Sequence, residues 1–282
     1  MKNTSENSFK ALGLPYFREV FALIDGVMIE HQTPYYLIGA TAVSLKLMQE
    51  GHKPSRGTKD IDFAIMVSSL ASYDAIKDDL IKKGFNKTGD EMTLYHPDFN
   101  TAIDLMPFGE VEEKDKKQFT QRKIDLVVLG YRETLEHTEK IKIDKQLIVD
   151  IPPLPAIAML KLIAWDDRPE IRKDDLDDIY LIITTFFDIA TDEIFEQHPD
   201  LLEMEPFDQH RIAARLLGRK IGVYLQKSAP VKTRVLQILN RQVDSTADDE
   251  IVMKWARNHD LTIENSRQLL TELQKGIEDL LG

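Results

Sequence analysis

Hydrophobic and polar positions follow two different patterns along this chain, and the pattern changes near residue 153. Before that point, short apolar stretches predict strands, with a few segments of helical spacing between them. From Leu154 onward, apolar positions recur every three or four residues, which is typical of helices. The sequence therefore predicts an α+β fold, with a mixed β-sheet flanked by helices in residues 1–153 and an all-helical domain in residues 154–282.

The first domain is organised around a strand–helix–strand segment between residues 35 and 67. An apolar strand runs into Gly39, a helix follows over Thr41–Glu50, and a loop leads to a strand that carries Asp60 and Asp62. The other elements predicted here are a first helix that ends near Gln32, a helix from Ser68 or Ser69 to Lys83, an exposed loop over Glu110–Lys117, and strands at Met92–Tyr95, Thr101–Phe108, Ile124–Leu129, Glu139–Ile143 and Leu147–Ile151.

The second domain is predicted to be a series of helices in which Pro199, Pro206 and Pro230 fall between helices as breakers. The predicted helices are Leu154–Asp166, Asp174–Phe187, Asp192–Gln197, Gln209–Leu225, Val231–Val243, Asp248–Asn258 and Thr262–Leu281.

Two aspartates in the central segment are the first candidates for chemistry. Side chains alternate faces along a strand, so Asp60 and Asp62 point the same way, about 7 Å apart along the chain. Asp104 lies between apolar neighbours in a later strand and joins them if the two strands pair side by side. Three carboxylates can hold two Mg²⁺ ions, as phosphoryl-transfer sites do. The alternatives are a solvated strand face and a lone aspartate on an edge strand.

Two other groups of residues are candidates for binding phosphate. Gly39 permits a tight turn, and the amides that follow it, with the Thr41 hydroxyl, can bind phosphate oxygens at a helix N-terminus. Arg56, Thr58 and Lys59 precede the aspartate pair and can contact phosphates as well. A glycine between a strand and a helix is also a common turn residue, and a basic loop is commonly a solvated one.

Lys161 lies inside a nearly continuous apolar run, and a buried ammonium needs an anionic partner. A nucleotide triphosphate is one such partner, whereas a side chain that extends to water at the helix edge needs none. Asp174, Asp175, Asp177 and Asp178 follow at the start of the next predicted helix. They favour the helix dipole there, and one of them can instead pair with Lys161 or with a basic loop residue.

The segment between Asp208 and Asp244 contains no acidic residue, and Arg211, Arg215 and Arg219 share one helical face. Such a face can bind a nucleic-acid backbone or an acidic partner. We favour the simpler interpretation, a solvated face or one that is paired with the acidic helix before it.

Composition narrows the function classes. A net charge of −12 argues against a general nucleic-acid binder. The absence of cysteine excludes disulfides, thiolate ligands and a cysteine nucleophile, and it fits a reducing cytoplasm. No apolar run approaches about 20 residues, and no signal peptide is recognisable, so we expect a cytoplasmic protein without a membrane span. The histidines are scattered, which argues against zinc chemistry.

Three sets of residues resemble the nucleotidyltransferase superfamily of DNA polymerase β: Ile38-Gly39-Ala40, Asp60-Ile61-Asp62, and Asp104. The chain looks most similar to the AbiEii-like branch, the toxin-type nucleotidyltransferases of type IV toxin–antitoxin systems. The closer match is carried by Gly39-Ala-Thr-Ala, by Arg56-Gly-Thr-Lys-Asp-Ile-Asp, and by Lys161-Leu-Ile-Ala-Trp-Asp-Asp-Arg168 leading to Lys173-Asp-Asp-Leu-Asp-Asp178.

The resemblance implies a nucleotidyltransferase domain over residues 1–153 that uses an NTP donor and two Mg²⁺ ions bound by Asp60, Asp62 and Asp104. It implies that Lys161 contacts the triphosphate and that Asp175 or Asp178 matches a family aspartate. Ala40 departs from the Gly or Ser that is common after the turn glycine, so a side-chain hydroxyl is lost unless Thr41 replaces it.

The expected function is transfer of a nucleotidyl group to an acceptor hydroxyl, with an RNA or a toxin-type target as acceptor and an antitoxin-type protein as partner. The alternatives are an inactive module that binds a nucleotide or a partner, and a nucleotidyltransferase that modifies an aminoglycoside-like small molecule.

Overall fold

The computed structural model describes residues 14–53, 60–111, 128–142, 147–244 and 249–281. The chain divides into two compact units, Met1–Pro153 and Leu154–Gly282. The first unit combines strands and helices, and the described part of the second contains helices only. The predicted α+β fold class is therefore confirmed. None of the helices in the described ranges is long and apolar enough to cross a membrane.

The first unit contains a five-stranded sheet, a two-stranded ribbon and several helices. In chain order, its elements are α1 (Phe17–Glu30), β1 (Tyr35–Ile38), α2 (Gly39–Gln49), β2 (Asp60–Met66), α3 (Leu70–Lys82), β3 (Asn86–Lys87), β4 (Thr93–His96), β5 (Thr101–Phe108), α4 (Tyr131–Leu135), β6 (Glu139–Lys142) and β7 (Ile148–Ile151).

The five-stranded sheet has the order β1-β2-β5-β4-β3, and β6 pairs with β7 in the ribbon. The sheet is mixed, because β2 and β5 run parallel whereas β1–β2, β5–β4 and β4–β3 are antiparallel pairs. The central parallel pair aligns Asp62 with Asp104, so the two aspartates are direct neighbours across the sheet.

Apolar side chains are buried on both faces of this sheet, and the face opposite Ile61 and Phe63 buries Tyr36, Ala64 and Phe108. Ile61 and Phe63 of β2 are completely buried, whereas the aspartates between and beside them are partly exposed. Helix α1 packs its apolar face here, with the ring of Phe21 centred 5.9 Å from that of Phe63. The side chain of Ser69 caps α3 by accepting a hydrogen bond from the Ser72 amide at 3.2 Å. Strand alternation thus places Asp60 and Asp62 together on the face opposite Ile61 and Phe63.

Several boundaries differ from the sequence prediction. Helix α2 begins at Gly39, two residues before the predicted start, and Gly39 itself has a positive φ of 68°. Strand β3 and helix α4 were not predicted, since two and five residues are too few to show a period. Most of the predicted strand Ile124–Leu129 and of the predicted loop Glu110–Lys117 lies outside the described residues.

The described elements of the second unit are helices. They are α5 (Leu154–Asp167), α6 (Lys173–Ile189), α7 (Thr191–Gln197), a 3₁₀ turn (Pro199–Glu203), α8 (Gln209–Lys227), α9 (Ala229–Asp244), α10 (Glu250–Asn258) and α11 (Ile263–Leu281). The prediction that Pro230 lies between helices is wrong, because it lies in the first turn of α9. A proline is tolerated there, since first-turn amides have no partner within the helix.

Helices α8 and α11 approach each other so closely that their backbones are in contact. A Cβ atom on Gly218 would lie 2.1 Å from the carbonyl oxygen of Leu273. A Cβ atom on Gly276 would lie 1.9 Å from the carbonyl oxygen of Arg215. Any side chain at either glycine would therefore have to separate the two helices.

The arginine face of α8 is occupied by acidic side chains. Arg215 and Arg219 both bind Asp279 of α11, at 2.9 and 2.8 Å, and Arg211 lies 3.4 Å from Glu272. These ion pairs support the interpretation of a face paired with acidic residues, although most of the partners lie on the later helix α11. They give no support to a nucleic-acid interface at these arginines.

Replacing Gly276 with alanine is expected to lower the free energy of unfolding by about 3 kcal/mol, because the new methyl group overlaps backbone atoms that cannot turn away. The matched control is Gly26→Ala, since Gly26 lies within α1 and its Cβ would meet nothing within 4 Å. That control is expected to gain up to about 1 kcal/mol from helix propensity. Urea denaturation followed by circular dichroism measures both changes, and equal effects would contradict the close contact.

Candidate active site

The structure brings three aspartates together at one place on the sheet. Asp60 and Asp62 lie on the same face of β2, and Asp104 lies beside Asp62 on β5. One carboxylate oxygen from each residue lies within 4.8 Å of those from the other two, and all three residues are partly exposed. The parallel register of β2 and β5 thus brings Asp104 next to Asp60 and Asp62, although it is far from them in sequence.

The donor set of this cluster fits a hard divalent cation. Mg²⁺ binds carboxylate oxygens at about 2.0–2.1 Å, so two ligands on opposite sides of one ion are about 4.2 Å apart. The 4.8 Å limit within the cluster is close to that span, and small side-chain rotations cover the difference. Three like charges at this separation repel one another, which a bound cation would offset. Asp60, Asp62 and Asp104 are therefore a suitable magnesium site.

Gly39 is part of the site because of how close it lies to Asp62. Ile38 pairs with Asp62 across β1 and β2, so the chain enters α2 directly beside that carboxylate. A Cβ atom on Gly39 would lie only 2.0 Å from Oδ2 of Asp62. Its left-handed φ also favours glycine. The position thus requires glycine for two independent reasons, the close approach of Asp62 and the positive φ. An ordinary turn glycine is explained by the second reason alone.

The structure places Thr41 differently from the prediction. Its side chain is fully buried, and its hydroxyl donates to the carbonyl oxygen of Asp60 at 3.3 Å. This bond ties the start of β2 to α2, so the hydroxyl supports the site from inside the protein and does not replace the hydroxyl that Ala40 lacks. Arg56, Thr58 and Lys59 lie outside the described residues.

Sequence reasoning missed one residue that contacts the cluster. Thr93 is paired with Asp104 across β4 and β5, and its hydroxyl donates to Oδ1 of Asp104 at 2.6 Å. Thr93 lies in a strand that was predicted, but only the register of the β4–β5 pair reveals that it faces Asp104. A threonine by itself carries no signal of this kind in the sequence.

Lys161 lies in the second unit, where it is held by two aspartates. Only 6% of its side chain is exposed, and Nζ lies 2.6 Å from Asp175 Oδ1 and 2.8 Å from Asp178 Oδ2. Burial lowers the pKa of the Lys161 ammonium, but the two carboxylates outweigh burial and hold its pKa above the ordinary value. The ammonium is therefore charged at neutral pH, and its side chain does not extend to water.

The contacts of the four neighbouring aspartates divide them into two pairs, one buried and one not. Asp175 and Asp178, three residues apart, share one face of α6 and are buried against the lysine. Asp174 is exposed at the start of the helix, and Asp177 is partly exposed and binds Lys254 at 3.0 Å. Of the four aspartates, Asp175 and Asp178 are therefore the ones that pair with Lys161, and a match of either to a family aspartate stays a prediction. A contact of Lys161 with a triphosphate stays a prediction.

No family model matches the sequence, and no curated protein is significantly similar to it. Among solved structures, the chain is similar to an antigenic nucleotidyltransferase-like protein from Paracoccidioides brasiliensis, with 16% identity and a TM-score of 0.39 over 77% of this chain and 90% of that one. It is similar to the antibiotic-resistance factor ANT(2'')-Ia, with 12% identity and a TM-score of 0.38 over 76% of this chain and 94% of that one.

A CCA-adding enzyme in complex with CTP is similar over 96% of this chain and 71% of that one, with 14% identity and a TM-score of 0.31. Identities and TM-scores this low carry no argument about activity.

Replacing Gly39 with alanine is expected to weaken Mn²⁺ binding at least about tenfold, because the new methyl group displaces the carboxylate of Asp62. Gly51→Ala is the matched control, since Gly51 also has a positive φ, of 88°, but its Cβ would meet nothing within 4 Å. Both variants carry the same kind of backbone strain, and only the first disturbs the site. Titration followed by electron paramagnetic resonance measures the affinity, and equal losses in both variants would contradict the role of Gly39.

Replacing Lys161 with methionine is expected to lower the free energy of unfolding by about 3–5 kcal/mol, because two buried carboxylates lose their cation. Since the folded-state pKa of Lys161 is raised, this contribution is present below the ordinary lysine pKa of about 10.4 and is lost only as the pH rises through the folded value. Lys173→Met, at the exposed start of α6, is the control for loss of a lysine charge. Urea denaturation at pH 7 should separate the two variants by several kcal/mol, and similar stabilities would refute the buried ion cluster.

Proposed function

We propose that this protein is a metal-dependent nucleotidyltransferase, which moves a nucleotidyl group from an NTP to an acceptor hydroxyl. The observation that carries the proposal is the cluster of Asp60, Asp62 and Asp104, whose ligand oxygens lie within 4.8 Å of one another. Clusters of this kind hold the Mg²⁺ ions of enzymes that act on phosphate esters, where the ions neutralise phosphate charge and orient an in-line displacement.

The N-terminus of α2 is the proposed binding site for the triphosphate. The helix begins at Gly39, directly beside Asp62, and the residue before it, Ile38, provides no side-chain cap for the first amides. Amides at a helix N-terminus attract phosphate through their hydrogen atoms and the helix dipole. The absence of a hydroxyl at Ala40 leaves this backbone contribution intact.

In the proposed reaction, the acceptor oxygen bonds to the α-phosphorus of the NTP as the bond to the pyrophosphate oxygen breaks. Pyrophosphate leaves, and the hydroxyl proton passes to a base. Asp104 is the proposed base, and all three aspartates are the proposed metal ligands. Lys161, with Asp175 or Asp178 beside it, is proposed to contact the triphosphate, as are Arg56, Thr58 and Lys59, which precede the first aspartate.

The resemblance to the AbiEii-like branch directs the finer proposal. It favours an RNA or a toxin-type target as acceptor and an antitoxin-type protein as partner. The overall charge favours a second candidate, because a protein with a net charge of −12 attracts cations, and an aminoglycoside-like alcohol is a cationic acceptor. A third candidate, a module that binds a nucleotide without turnover, is motivated by Ala40 in place of a glycine or serine.

Replacing Asp60 with alanine is expected to abolish NTP-dependent labelling of an acceptor. The melting temperature without metal is expected to hold or rise, because one of three mutually repelling charges is removed. The experiment incubates the protein with Mg²⁺, mixed α-labelled NTPs and two acceptor sets, total RNA and a panel of aminoglycosides, and identifies products by mass spectrometry.

The control is Asp78→Asn, which removes a carboxylate from an exposed position of α3 and is expected to keep full activity. Undiminished labelling by Asp60→Ala would refute the proposed site. Calorimetric uptake of NTP without turnover on either acceptor set would instead identify a nucleotide-binding module.

A further inference from the structure

Asp104 is held between two neighbours, one on each adjacent strand. On the β2 side it is paired with Asp62, and on the β4 side it is paired with Thr93. The hydroxyl of Thr93 donates to Oδ1 of Asp104 at 2.6 Å, in a partly buried setting. Hydrogen bonds from a hydroxyl to a carboxylate are short and about twice as strong as bonds between neutral groups. This bond is therefore a strong contact of the Asp104 side chain.

The bond limits where both oxygens of Asp104 can be. The last torsion of an aspartate is broad, so a free carboxylate rotates easily. A donor that holds one oxygen fixes the plane of the group and therefore also the position of the other oxygen. Because the Asp104 carboxylate is already held in one orientation, it loses less conformational entropy when a cation binds to the cluster.

Thr93 is itself held in place by the turn that precedes it. The carbonyl oxygen of Thr93 accepts a bond from the Thr88 hydroxyl at 3.1 Å, and the Met92 amide donates to Asp90 Oδ1 at 2.8 Å. Lys77 of α3, of which only 6% is exposed, lies 3.0 Å from Glu91 Oε2 and anchors the turn to the helix. The threonine is also β-branched, which limits its own rotation.

We propose that Thr93 is a positioning residue for the metal site: its hydroxyl holds Asp104 in the orientation in which the three aspartates bind a divalent cation together. The inference rests on the proposed function, because it assumes that the cluster binds metal. It adds a residue that acts on the metal site through Asp104. The same bond can instead serve only to stabilise the β4–β5 pair, and the experiment distinguishes these two roles.

The test compares Thr93→Val, which keeps the shape and removes the hydroxyl, with Thr93→Ser, which keeps the hydroxyl. The control is Thr101→Val on β5, where a buried hydroxyl donates to the Phe99 carbonyl oxygen at 2.8 Å and not to an aspartate. Mn²⁺ is the probe, and its affinity is measured by electron paramagnetic resonance on the full chain. Melting temperatures are recorded for every variant.

Thr93→Val is expected to weaken Mn²⁺ binding by about 10–100-fold, the usual effect of removing a hydrogen bond to a metal ligand. Thr93→Ser is expected to restore most of the affinity, and Thr101→Val to leave it unchanged. With Mg²⁺ and NTP, Thr93→Val is expected to need a higher metal concentration for half-maximal labelling, and saturating metal should recover most of the rate.

Unchanged Mn²⁺ affinity in Thr93→Val would overturn the inference, as would an equal loss in Thr101→Val, since a general weakening of the strand pair would then be the cause. The failure of the proposed function looks different. If the wild type binds Mn²⁺ in a way that depends on Asp60 but labels no acceptor, the transfer reaction is refuted while the role of Thr93 is still decided by the affinities. If the wild type binds no Mn²⁺, both are overturned.

Discussion

The parallel pairing of β2 with β5 is the contact on which the proposed site depends. Ile61 and Phe63 of β2 and Ile103 and Leu105 of β5 are all fully buried, and they fix which residues face each other. Because side chains alternate, a slip of one residue in either strand would send its aspartates into the core and its apolar residues into water. The apolar face therefore sets the register, and the carboxylates follow from it.

The free energy gained by burying the apolar side chains and the repulsion among the three carboxylates are similar in size. Burial of each of those four apolar side chains stabilises the register by about 2 kcal/mol. Repulsion between two carboxylates near 4.8 Å costs roughly 3 kcal/mol near a protein surface. Summed over the three carboxylate pairs, this repulsion is about as large as the stabilisation from the four apolar side chains, so the two effects nearly balance. A bound divalent cation would change this balance, which couples the stability of the first unit to occupation of the site.

Some of these features follow from the sequence and others do not. The alternation around Asp60 and Asp62 predicts their shared face, and the apolar neighbours of Asp104 predict its strand. The register between strands is not predictable from either segment alone, since it depends on pairs of residues far apart in the chain. For this reason, Asp104 was expected to join the cluster only if its strand paired with β2, and the contact between Asp104 and Thr93 was not found.

The structural role of a single proline, glycine or lysine also depends on surroundings that the sequence does not show. Pro230 was placed between helices because proline interrupts a helix, yet the first turn of α9 accepts it. Gly39 resembles any turn glycine in the sequence, and only the 2.0 Å approach of Asp62 Oδ2 to its missing Cβ distinguishes it. A buried lysine predicts an acidic partner but not which one, and of four neighbouring aspartates only Asp175 and Asp178 contact Lys161. In each case the residue type limits the conformations or partners that are allowed, and the packing around the residue determines which of them the structure adopts.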